Sequence, residues 1–331
     1  MENAKVRRPP ITLSIQNAVL LVLSLAALAY PWVFRLAFQR RFMVVVFLYA
    51  MLGQAWNILG GYTGQVSLGH AVFFGIGAYT STLLHLKVGW TPWIGMIAGG
   101  LAATLVSQVI GYPCFRLRGH YFVIATIVLA EIVQVLFRNW DWAGGTLGLR
   151  LPLLPESLLN FQFFSTKLPY YYISLFLLGL VLMVTFLLER SKAGYYFRAV
   201  KEDPDAARSL GVNITVYKML AMAMSAFFTG IGGAFYAQFV LYIDPETVLA
   251  FKTSVLIMLI AVVGGSGTLW GPVLGAFILI PLSEFTRIIL GGAGRALDLL
   301  VYGVLIMLVA VFEPRGMWAL GGRIRAWGRS R

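Results

Sequence analysis

Charge is scarce in this chain. Only 12% of its 331 residues are charged, while 59% are hydrophobic; a soluble domain carries roughly a quarter charged residues. That scarcity excludes an ordinary soluble fold, which has too little polar surface to cover so much apolar area. Acidic residues are the rarer sign: 13 Asp and Glu stand against 26 Lys and Arg, for a net charge of +13. The excess does not read as a nucleic-acid surface. Its basic residues sit in loops and tails between apolar runs, where they orient a membrane protein and meet anionic lipid. Cysteine is nearly absent, and the lone Cys114 excludes an internal disulfide framework. The three histidines, His70, His85 and His120, have no acidic or cysteine neighbours at ligand spacing, so no metal site is expected. No Gly-x-x-x-x-Gly-Lys-Ser/Thr run occurs, which excludes a P-loop in this sequence. The glycine-rich Gly264-Gly265-Ser266-Gly267-Thr268 lacks the lysine and reads as a helix break. No local Ser-His-Asp or Cys-His motif is present. The chain is not expected to be an enzyme or to carry a cofactor.

What is abundant is long apolar sequence. The runs are continuous and about 20 residues long, the length of a spanning helix, where a barrel would need alternating segments of about ten. The expectation is an all-α polytopic membrane helix bundle of about ten spans with broken helices, a single transmembrane domain over 1–331. The runs cover 12–34, 42–59, 66–86, 93–111, 120–137, 170–188, 219–241, 253–263, 269–290 and 297–312. The eighth is too short to cross alone and ends at Gly264, Gly265 and Gly267, so it reads as broken or tilted. The basic start and the apolar stretch to Ala27-Leu28-Ala29 resemble a signal peptide. The apolar run continues through Trp32, Val33 and Phe34, so an uncleaved anchor is expected.

Orientation follows the basic residues. Lys5, Arg7 and Arg8 precede the first run. Arg190, Lys192, Arg198, Lys201, Arg208 and Lys218 follow the sixth, and Arg315, Arg323, Arg325, Arg329 and Arg331 close the chain. With ten spans all three groups share one side, which is then cytoplasmic. Arg35, Arg40 and Arg41 fall on the other side as the minority. The loop 139–169 then lies outside. Its Trp140 and Trp142 suit either interfacial anchoring or docking of an outside partner. The loop 189–217 lies inside. Residues 71–79 and 226–236 both carry Phe-Phe and Gly-Ile-Gly, a likeness that small-residue helix packing explains without a repeat.

Three motifs carry chemistry. Gly60-Gly61-Tyr62-Thr63-Gly64 disfavours a continuous helix, and Gln65, Ser67 and His70 place polar groups beside the break. A broken helix with polar groups at membrane depth is a way to build a solute path. Local packing, with the polar groups bonding nearby, is the other reading. The candidates for a path are Gly64, Gln65, Ser67, Gly69 and His70. In the second motif, Asp203 suits a helix N-cap, Pro204 the first helical position and Gly211 the stop. These signals encode a short loop helix and make Asp205, Ala206, Ala207 and Gly211 a rigid contact element. The third motif is charge within apolar runs. Glu131, with Gln134 three residues on, is a candidate for the path or its gate. Glu284 pairs in sequence with Arg287.

At these residues the chain resembles the LivM-type permeases, membrane subunits of ATP-binding-cassette importers for branched-chain amino acids. The resemblance rests on Gly64-Gln65-Val66-Ser67-Leu68-Gly69-His70-Ala71 with Phe73-Phe74-Gly75-Ile76-Gly77-Ala78-Tyr79-Thr80. It continues in Arg116-Leu117-Arg118-Gly119-His120-Tyr121-Phe122, Gly144-Gly145-Thr146-Leu147-Gly148-Leu149 and the run from Gly264 to Gly271-Pro272. It implies a pore shared with a LivH-type permease subunit, two cytoplasmic ATPase subunits and a periplasmic solute-binding protein, in a bacterial inner membrane with both termini cytoplasmic. It also implies that 189–217 is the coupling loop. Asp205-Ala206-Ala207 with Gly211 matches the spacing of such loops, with Asp in place of Glu and without their Ile-x-Leu-Pro continuation. The competing reading is an ion-coupled secondary transporter or channel using Glu131 or Glu284. Co-purification of ATPase subunits discriminates the two. Related permeases carry urea, amides and aromatic acids, so the solute stays open.

Overall fold

The computed structural model describes residues 27–290 apart from 35 and 118, without the side chains of 286–290, and beyond them only 303, 317 and 318. The basic N-terminus, most of the expected first span, the tenth span, the basic tail and the Arg287 side chain lie outside the described residues.

Seven helical segments among the described residues are long and apolar enough to cross a membrane. Helix α1 (Ala37–Gly60) is followed by α2 (His70–Leu83), which a π-helical turn, Leu84–Val88, prolongs. Then come α3 (Pro92–Cys114), α4 (His120–Arg138) and α5 (Leu168–Arg190). Two helices, α6 (Lys192–Glu202) and α7 (Pro204–Ser209), lie outside the spans. Helix α8 (Ile214–Val240) crosses back, α9 (Pro245–Val248) is a single turn, and α10 (Phe251–Gly265) and α11 (Gly271–Leu290) complete the described part. Helices dominate because hydrocarbon offers the backbone no partners, so each span must close its own hydrogen bonds.

Several boundaries differ from the sequence expectation: α1 and α8 each start five residues early, at Ala37 and Ile214, and two further differences bear on the site. The third run, expected at 66–86, turns helical only at His70, because 64–69 is irregular and non-helical. The eighth run is broken, as expected, but at Leu249-Ala250, and it reaches span length only with the turn before it. The turn α9 precedes α10, and Pro245–Gly265 together reach 21 residues. Apolar counting stopped at Thr253 and Val263, but Phe251, Lys252, Gly264 and Gly265 stay helical.

Helices α1, α2 and α8 form the centre. In α1, 78% of the apolar window is buried, against 22% in α4 at the periphery. Helix α1 packs on α5, α8, α10 and α11, and α8 on α2 and α3. The two Gly-Ile-Gly segments face one another. A Cβ on Gly77 would sit 2.0 Å from the Gly230 carbonyl oxygen, and one on Gly233 would sit 1.9 Å from that of Phe74. Only glycine allows these backbones to meet, as in small-residue packing between spans.

Helix α5 separates the two long loops, so 139–167 and 191–213 stand at opposite ends of the bundle. In the first, Gly148 turns the chain into a short strand β1 (Leu149–Arg150), antiparallel to β2 (Tyr242–Ile243). The Trp93 indole donates to the Leu158 carbonyl at 2.7 Å. Glu156 accepts from Ser165 and from the Phe164 amide, and these donors hold its carboxyl below the usual range.

Candidate functional site

The break after α1 opens on Asn57, whose carbonyl accepts from the Gly61 and Tyr62 amides. The Thr63 hydroxyl donates to the Leu59 carbonyl at 2.6 Å. Gly64 then takes φ +70, a left-handed value that a side chain would disfavour. From there the chain runs without helical structure into the bundle. Such a stretch closes no helical ladder of its own, so its backbone groups need other partners, and side chains from other helices supply several of them. The Trp56 indole donates to the Ser67 carbonyl at 2.8 Å. The Leu68 amide donates to the Thr126 hydroxyl of α4 at 3.1 Å, and the Ala71 amide to the Ser254 hydroxyl of α10 at 2.8 Å.

At the end of this segment His70 is fully buried, with Nε2 2.8 Å from the Ser225 hydroxyl of α8. Its Nδ1 has no hydrogen-bond partner among the described residues. Ser67 and Gly69 are buried beside it, whereas Gly64 and Val66 are exposed and Gln65 is half-buried. The void lined by Ser67, Gly69, Thr126 and Met222 measures about 10 Å³, room for one water and not for an amino acid. Of the residues expected at a path, the structure brings Ser67, Gly69 and His70 together. Glu131 is not among them. Gln134 points inward and donates to the Pro245 carbonyl, while Glu131 is exposed on the outer side of α4. A three-residue spacing put both on one face, but the step is near 100° per residue, and the packing boundary falls between them.

The second break joins the first. Asn57 accepts from the Gly267 amide at 2.7 Å and donates to the Thr268 carbonyl at 2.9 Å. Thr268 closes the turn itself, donating to the Gly265 carbonyl at 2.7 Å and accepting from the Gly271 amide at 3.1 Å. Below both breaks lies α6. A Cβ on Gly64 would be 3.2 Å from Lys201 Cγ, and one on Gly267 would be 3.1 Å from Lys201 Nζ. The Tyr62 hydroxyl donates to Glu189 at 2.6 Å, and Arg198 stands 3.8 Å from the same carboxylate. Burial, then this hydrogen bond, raise the Tyr62 phenol above its usual range.

The sequence showed one helix in this loop, and the structure has two. Ser191 caps α6 through the Gly194 amide, and Phe197 and Val200 are buried. Helix α7 starts as expected, with Asp203 accepting from the Asp205 and Ala206 amides at 2.9 and 3.0 Å. It stops at Gly211, at φ +84. Asp205, Ala206 and Gly211 are exposed. Ala207 is buried against Val200 and Ile214, so its methyl holds α7 to the bundle and is not offered outward. Leu210, missed by the sequence reading, is 85% exposed at the tip. An apolar side chain adjoining a predicted helix stop was the available signal.

Residues 40–310 match the family model described as the branched-chain amino acid transport system / permease component. The chain is 30% identical to the high-affinity branched-chain amino acid transport system permease protein LivM of Escherichia coli, over 93% of this chain and 77% of that protein. It is 25% identical to the permease protein BraD of Pseudomonas aeruginosa, over 81% of this chain and 91% of that protein. It is also 26% identical to the nucleoside ABC transporter permease protein NupC of Lactococcus lactis, over 53% and 59%. No solved structure matches the chain.

Proposed function

Since the chain belongs to the family of permease components of branched-chain amino acid transport systems, we propose that it forms half of the membrane path of an importer for these or similar small polar solutes. It is a multi-pass membrane subunit of an ATP-binding-cassette importer. The energy comes from separate ATPase subunits, the other half of the path from a LivH-type permease, and the solute from a periplasmic binding protein. Both termini and 191–213 face the cytoplasm, because the basic residues gather there.

The observation that carries the mechanism is the irregular, non-helical stretch from Gly64 to Gly69 with the first residues of α2, inside a helical bundle. Its backbone is held by side chains of three other helices, so small shifts of those helices redistribute its hydrogen bonds. We assign Gly64, Gln65, Ser67, Gly69 and His70 to the path wall, closed in this conformation. Coupling runs through α7. Asp205, Ala206, Leu210 and Gly211 meet the ATPase, Ala207 ties α7 to α6, and Lys201 at the end of α6 bears on both breaks. Motion at α7 therefore reaches the segment without crossing the bundle.

The test is uptake of labelled leucine by vesicles holding the whole complex, with ATP supplied on one side only. Uptake is expected only with ATP on the side of the 191–213 loop. Leu210→Asp is expected to abolish it while the subunit still reaches the membrane. Uptake driven by an ion gradient without ATP would overturn the reading.

A further inference from the structure

The outer face of α4 is unlike the other exposed helix faces. Tyr121, Ile124, Val128, Glu131 and Val135 follow one another at three or four residues and form one stripe. Tyr121 is 73% exposed, Val128 50% and Val135 49%, and Glu131 is exposed among them. The opposite face of α4, with Phe122, Thr126, Ala130 and Gln134, is buried against the rest of the chain. By contrast, the exposed stripe of α3, through Ile97, Leu101, Leu105 and Val109, is wholly apolar and suits lipid.

Glu131 stands eleven residues past the start of α4 and seven before its end, roughly 16 Å and 10 Å along the axis at the helical rise. It is therefore deep in the span, and a carboxylate there is costly against hydrocarbon. The described ion pairs, Arg138 with Glu246 and Arg198 with Glu189, do not involve it. Such a carboxylate is met by protein or by a watery cavity, and the exposed apolar Ile124, Val128 and Val135 around it fit protein that carries one donor.

Resting on the reading of this chain as one of two permease chains, we propose that the outer stripe of α4 is the seam with the companion permease. Glu131 meets a hydrogen-bond donor of that companion at mid-membrane. A second copy of this chain fits less well. Two parallel α4 stripes meeting about a two-fold axis along the membrane normal would bring two Glu131 carboxylates together at one depth, where like charges repel. A companion of similar fold with Lys, Arg, Asn or Gln at the facing position satisfies the carboxylate. The seam then has α4 as its wall, one helix away from the Ser67–His70 segment, which bonds to the other face of α4 through Thr126.

The test uses the whole complex in native membranes, with the photo-reactive residue p-benzoyl-phenylalanine in place of Val128 or, as a control, Leu105. The Val128 position is expected to cross-link to the companion permease and the Leu105 position to lipid. Glu131→Leu should lower the companion recovered with this chain roughly tenfold, about 1.4 kcal/mol, while Glu131→Gln keeps most of it. Cross-linking from Val128 to lipid alone, or to a second copy of this chain, overturns the seam. So does full recovery with Glu131→Leu. If the companion co-purifies and ATP-driven uptake persists while Val128 reaches only lipid, the seam is wrong and the function stands. If no companion co-purifies at all, the functional reading fails and the seam falls with it.

Discussion

The two helix breaks begin from similar sequence and end differently. Both carry clustered glycines, at Gly60-Gly61 with Gly64 and at Gly264-Gly265 with Gly267. The second is a local turn: Thr268 bonds on both sides of it, and one outside side chain, Asn57, locks it. The first runs without helical structure into the bundle, where Trp56 and Thr126 bond to its backbone and Ser254 holds the start of α2 just beyond it. Glycine marks where a helix stops. Partners elsewhere in the fold determine where the chain then goes.

The strongest way to break this comparison is Asn57→Leu, which removes the side-chain lock on the second break and leaves the Asn57 carbonyl that serves the first. The fully buried Asn57 side chain holds the half-buried Gly267 and Thr268. Two such bonds at about 1–3 kcal/mol each put the loss at about 2–6 kcal/mol. A large fall in the thermal midpoint of the detergent-solubilised subunit is expected; an unchanged midpoint would show that the second break stands on its own.

Trp56→Phe sharpens the contrast, because it removes one donor from the first break only. The expected cost is about 1–3 kcal/mol for the stranded Ser67 carbonyl. In a Cys114→Ser background, thiol labelling at Gln65→Cys should rise several-fold, while labelling at Ser266→Cys should not change. Equal rises at both positions would mean that the breaks open together and the distinction has no energetic content.

The smallest effect is expected at Thr268. Thr268→Val should cost about 1 kcal/mol, as for the loss of a helix-start hydroxyl, and Thr268→Ser should be close to neutral. A larger loss with serine than with valine would show that the methyl packing, and not the hydroxyl, closes the turn.

Local signals were legible. The spans follow from apolar length, the breaks from glycine, and the start of α7 from Asp203-Pro204. What lay beyond reach depended on which neighbour sits beside a residue. Helix α6 was hidden because Lys192–Glu202 is too polar for a span and carries no glycine stop. Ala207 was read as a contact to the outside, yet it is buried against Val200 and Ile214, a face that only the docking of α7 on α6 defines. Glu131 and Gln134 share a spacing and end on different sides of the packing boundary.

Sequence by itself determined that this chain lives in a membrane, that it crosses as helices, and roughly where those helices end. Hydrocarbon allows only helices or a closed barrel, the continuous runs of about 20 residues select helices, and glycine and proline act within a turn or two of where they stand. Tertiary structure alone decided that Ser67 and His70 come together under Trp56, that Lys201 bears on both breaks, and that Glu131 looks outward. Those outcomes depend on hydrogen-bond partners and packing surfaces far away in the chain, such as Ser225 for His70 and Ser254 for Ala71.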